Sequence, residues 1–142
     1  MTPVSSRVGH DPDKGVNGDC LRACVASLLD LDAEAVPHFY ETTDSGEVAL
    51  GAMRKYLAQH GYGAAMIAYS GAAPLDDLMS IMPDIFADAH YLLFGRTESG
   101  EPHVVVCKGD RVVHNPSWGG FSSRITQPTE DGQWVVMGIV LL

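Results

Sequence analysis

The sequence predicts an α+β protein, helices first and an antiparallel sheet second. Three observations carry this. A run after Asp19 repeats apolar residues at the helical period, and two more helical patterns follow before residue 82. Beyond residue 90 the texture changes to short, Val-rich runs. Turn residues divide those runs at hairpin spacing.

Taken in order, residues 1–18 hold three Gly and two Pro among Asp, Asn and Ser, which predicts a loop-rich arm. The first helix follows, with Leu21, Cys24, Val25, Leu28 and Leu29 on one stripe, Asp19 as its N-cap and an end near Leu31. A second helix is predicted from Glu47 to His60. It turns Val48, Leu50, Met53, Tyr56 and Leu57 inward and stops at Gly61. A third, short helix runs from Pro74 to Ile81, with Asp76 and Asp77 in its first turn. Four strands are predicted over Tyr91–Phe94, His103–Cys107, Arg111–Val113 and Trp134–Val140. Glu98-Ser99-Gly100 and Lys108-Gly109-Asp110 read as hairpin loops between them. With 142 residues and no internal repeat or long linker, residues 1–142 are expected to form one domain.

Composition narrows the function. Apolar residues make up 46% and charged residues 19%, which suits a globular chain with a real core. A net charge of −9 with no Lys/Arg cluster argues against nucleic acid and anionic membranes as partners. Residues 1–18 lack the apolar stretch of a signal peptide, and no apolar run nears the ~18 residues that span a bilayer. Three cysteines are an odd number for a disulfide framework, so cytoplasmic residence is the expectation.

Within that frame, Cys20 has the most informative position. In the first turn of a helix its sulfur meets the amides and positive dipole end of the N-terminus, which favour thiolate over thiol. The same amides suit an oxyanion formed when a thiolate attacks a carbonyl, and Gly18 would admit a close backbone. Cys24 lies inside the apolar stripe and Cys107 closes an apolar strand, so both read as core. A thiolate needs a base. His103 opens a strand just after a turn, where a side chain is held yet reaches a cleft. A hairpin between Cys107 and Arg111 would return Asn115 beside it, its amide oxygen fixing the ring as the third member of a triad does. His114 is the second choice of base. Trp118 either walls a substrate cleft or caps the core.

These residues resemble the papain-like cysteine peptidase superfamily, and within it the bacteriocin-processing, double-glycine branch with its small bacterial and phage relatives. The resemblance lies in Gly18-Asp19-Cys20-Leu21-Arg22-Ala23-Cys24 with its Ala26-Ser27-Leu28-Leu29 continuation and in Val36-Pro37-His38-Phe39. It continues in the His103-Val104-Val105-Val106 strand and in Asn115-Pro116. It covers Gly18 to Phe39 and His103 to Pro116. It implies a papain-like domain whose helical part, with the nucleophile at a helix N-terminus, packs on an antiparallel sheet. Cys20 would be nucleophile, His103 base and Asn115 the orienting residue. The family's upstream Gln, an oxyanion donor, has no counterpart, since the first Gln is Gln59. Asn17 carries the same amide on a shorter arm, and His10 is a further donor.

The expected function is that of a thiol-dependent hydrolase or acyl transferase acting on a peptide, protein or small amide or thioester, with no cofactor. One alternative is a catalytically inactive papain-like binding domain. Another is a metal site drawn from Cys20, His38, His90, His103 or His114, although close ligand pairs such as Cys-x-x-Cys are missing.

Overall fold

The structure is a computed structural model of the chain and describes residues 1–117 and 124–142. Its elements are α1 (Cys20–Leu28), α2 (Gly46–Gln59), β1 (Tyr62–Ser70), α3 (Leu75–Phe86) and β2 (His90–Thr97), then β3 (Pro102–Lys108), β4 (Arg111–His114), β5 (Ile125–Gln127) and β6 (Gln133–Leu141). The strands make a six-stranded antiparallel sheet in the order β1-β6-β2-β3-β4, with β5 pairing β2. The fold class is α+β, as predicted. The layout differs in one respect: β1 lies between α2 and α3, so helices and strands are not cleanly segregated.

The chain gathers into two compact units. The first takes residues 1–64 and, of the described remainder, 116–117 and 139–142. Its centre is α1, which is buried almost all round, Leu21 and residues 23–27 together, more widely than one stripe requires. The N-terminal arm is strapped to it. Val4 N donates to Ser27 Oγ at 2.9 Å and Thr2 N to Ser27 O at 3.1 Å. The helix stops at Leu28, short of the predicted Leu31, because Asp30 turns left-handed at φ 55°. Leu31 N then reaches Ala26 O at 2.9 Å and Asp30 N reaches Ser27 O at 3.4 Å, a Schellman closure with Asp in place of the usual Gly.

α2 is capped by Ser45, whose side chain accepts from Val48 N at 3.2 Å. It buries Ala49, Met53, Tyr56 and Leu57. Met53, Tyr56 and Leu57 turn inward as predicted, whereas Val48 is 58% exposed and Ala49 is buried in its place. Phe39 meets Tyr56 edge-on at 6.0 Å, which brings the Val36–Phe39 stretch into this core.

The second unit takes residues 65–115 and, of the described remainder, 124–138. Its core joins Leu78, Met79 and Met82 of α3 to Tyr91, Leu93, Val105, Cys107, Ile125, Trp134 and Val136 of the sheet. α3 runs to Phe86, five residues past the predicted end, and passes through Pro83. Phe86 there stacks on Tyr91, ring centroids 4.6 Å apart. β2 and β3 pair in register from His90↔Lys108 to Arg96↔Pro102, which places Gly95 opposite His103. A Cβ on Gly95 would meet Ile125 Cγ2 at 2.5 Å, so only glycine lets β5 cross there.

Candidate active site

Cys20 is the first residue of α1 and is partly exposed, whereas Cys24 and Cys107 are fully buried. Asp19 stands at the N-cap position, but its side chain does not cap the helix. Its carboxylate, 1% exposed, accepts from Arg7 N at 2.9 Å, Val8 N at 3.0 Å and the Arg22 guanidinium at 2.7 and 3.0 Å. The residue read as a cap is thus a buried anchor holding the arm against the start of α1. Burial and, after it, the charge of the Cys20 sulfur raise the Tyr40 phenol above its ordinary value, which keeps it protonated near the thiol.

Asn17, the candidate oxyanion donor, is engaged elsewhere. Its amide nitrogen donates toward Tyr40 O at 3.0 Å, Thr43 O at 3.1 Å and Asp44 Oδ1 at 2.8 Å, three acceptors for two hydrogens. It tethers the 40–44 loop, while its own carbonyl accepts from His38 Nε2 at 3.1 Å. Gly18 has a local reason too, since a Cβ there would meet His10 N at 3.2 Å. The close approach at Gly18 is made by the chain itself, and His10 is exposed.

In the second unit the structure brings His103 and Asn115 together, with Nε2 and Oδ1 2.7 Å apart. Asn115 Oδ1 accepts, so Nε2 carries the proton and Nδ1 is the basic nitrogen. His103 is 9% exposed. Burial pulls its pKa below the ordinary value, against the opposing effects of the Asn115 hydrogen bond and the Glu101 charge. The imidazole is therefore neutral at pH 7.

The pair depends on the β3–β4 hairpin, which turns at Gly109-Asp110 with Gly109 at φ 60°. Tyr91 fixes that turn by donating to Gly109 O at 2.7 Å. Lys108↔Arg111 and Cys107↔Val112 pair directly, and then the register shifts so that Val106 pairs His114. Val113 is the extra residue of a β-bulge. Past the bulge Asn115 falls opposite Val105, on the face that also carries His103. Without it, alternation would put His114 there and turn Asn115 to the other face.

Beside Asn115 lies a cleft of about 350 Å³, lined by Val105, Val112, Asn115, Arg124 and Ile125. Sequence reasoning missed Arg124 and Ile125, which belong to no motif. Trp118, the other cleft candidate, lies outside the described residues. Among the described residues no group of three or more His, Cys, Asp or Glu is placed to hold a metal ion, and no helix is long and apolar enough to cross a membrane.

No protein-family model, no curated protein and no solved structure matches the chain.

Proposed function

We propose that the chain is a papain-like thiol hydrolase or acyl transferase acting on an amide, peptide or thioester carbonyl. The observation that carries this reading is the 2.7 Å hydrogen bond from His103 Nε2–H to Asn115 Oδ1, which leaves Nδ1 as a fixed, neutral base. The position of Cys20 at the start of α1 supports it.

In the reaction Cys20 gives its proton to His103 Nδ1, and the sulfur attacks the carbonyl carbon. The carbonyl π electrons move onto oxygen, where amides opening α1 receive the charge. Collapse of the tetrahedral species breaks the bond to the leaving group, which takes the proton from Nδ1. Water or another acceptor, deprotonated by the same nitrogen, releases the acyl group from sulfur. Asn115 keeps the ring plane throughout.

A second reading, a catalytically inactive binding domain on the same fold, draws on Asn17, whose engaged amide removes a candidate oxyanion donor. Timed iodoacetamide labelling separates the two. An enzyme has a Cys20 alkylated well above a free model thiol at pH 7, dependent on His103, and hydrolyses a reactive thioester that Cys20→Ala leaves intact. A Cys20 no faster than the model thiol, in a chain that turns over no thioester, rejects the catalytic reading.

A further inference from the structure

We propose that the cleft beside Asn115 binds a carboxylate carried on a branched apolar body, such as the C-terminal residue of a peptide. The assignment rests on the catalytic reading only in making this group part of the substrate. The binding itself is argued from the second unit alone.

The walls divide in character. Val105 and Ile125 are buried core side chains that close the back of the cleft, and Val112, 47% exposed, forms an apolar side. A volume of about 350 Å³ is at the small end of ligand sites and suits one branched side chain with its backbone atoms. Arg124 is the charged group among the lining residues and is exposed. Among the described residues no ion pair ties it to a carboxylate, as none does for Lys55, Arg96 or Lys108, but of these four Arg124 is the one that lines the cleft.

The chain carries 18 acidic and 9 basic residues, so a cation at an apolar cleft stands against a negative surface. An arginine beside apolar walls selects a ligand with both features. The guanidinium takes a carboxylate through two parallel N–H donors, and the apolar body lies against Val105, Val112 and Ile125. The overall negative charge repels anions elsewhere on the surface, which confines such a ligand to this cleft.

Methyl-detected NMR titration of the full chain tests this with N-acetyl-leucine, N-acetyl-leucinamide and 4-methylpentanoate as probes. The expected result is saturable shifts of the Val105, Val112 and Ile125 methyls with N-acetyl-leucine, about tenfold weaker for the neutral amide and for Arg124→Gln with the acid. Binding of 4-methylpentanoate as tight as that of N-acetyl-leucine assigns the site to free carboxylic acids. Weaker binding assigns it to peptide C-termini. Equal binding of acid and amide, or no shift at these methyls, overturns the proposal. Cys20→Ala is titrated alongside and binds equally. If the cleft stays empty while Cys20 alkylation still depends on His103, the cleft assignment alone fails. If the cleft binds while Cys20 is inert, the catalytic reading alone fails.

Discussion

His103 Nε2 lies 2.7 Å from Asn115 Oδ1, although in an unbroken β3–β4 ladder Asn115 would face away from His103. The extra residue Val113 supplies the single step of register that reverses this.

Deleting Val113 should therefore make the ladder regular, with His114 still opposite Val106 and Asn115 still opposite Val105 on the His103 face. Long-range nitrogen–proton NMR reads the ring tautomer. The wild type and the deletion should both show the Nε2–H form. Asn115→Ala, which leaves the strand intact but removes the acceptor, should give a mixture of tautomers and slow Cys20 alkylation roughly tenfold, the worth of one hydrogen bond. A deletion variant with mixed tautomers would show that the pairing Val106↔His114 does not place Asn115 beside His103.

The three thiols should differ sharply. Burial pushes the Cys107 thiol up to about 12, although Tyr91 hydrogen bonding opposes this, and Cys24 is wholly enclosed in α1. Brief alkylation at pH 8 followed by mass mapping should find label on Cys20 almost alone. Cys24→Ser should cost roughly 1–3 kcal/mol in urea unfolding, through its buried hydroxyl, and leave Cys20 reactivity intact. Early label on Cys107 would contradict the packing described for β3.

The His103 shift has a defined pH signature. Its folded pKa is depressed by burial, so the unfolded chain binds this proton first as pH falls. The contribution is present above about pH 6.5 and is lost as pH falls from there through the folded pKa. His103→Gln should flatten that part of the stability profile relative to wild type, the other five histidines being common to both. If the two profiles run parallel between pH 7 and 5, the imidazole is not held neutral by the fold.

Much of this was legible in the sequence, and the failures have physical causes. The start of α1 and the β3–β4 hairpin were readable because apolar period and turn residues agree there. The end of α1 was not, because Asp30 adopts a left-handed conformation usually given to Gly. α3 was expected to end at Ile81, but it runs on to Phe86 and accommodates Pro83 near its end. β1 was missed because Gly63, Ala64, Ala65 and Ala68 carry little strand propensity, and β5 because three residues make no pattern. His103 and Asn115 were found by spacing, but the bulge that joins them has no mark in the residues it uses. Asp19 was found for the wrong role, since a buried anchor and an N-cap call for the same side chain.

That anchor gives the last test. Asp19 is a buried carboxylate receiving the Arg7 and Val8 amides and the guanidinium of Arg22, itself largely buried, and it fixes the arm at the residue before Cys20. Removing one member of such a pair leaves an uncompensated charge, so Asp19→Ala should cost about 3–5 kcal/mol. Replacing both members removes that charge as well. Asp19→Ala with Arg22→Met should therefore be less destabilised than the sum of the single variants, by about 1–3 kcal/mol. The double variant should still lose the arm, because the Arg7 and Val8 amides have no acceptor in either case. Hydrogen exchange should then be fast at Arg7 and Val8 in the single and the double variant alike. Protected Arg7 and Val8 amides in Asp19→Ala, or strictly additive stabilities, would mean that the carboxylate does not hold the arm to α1.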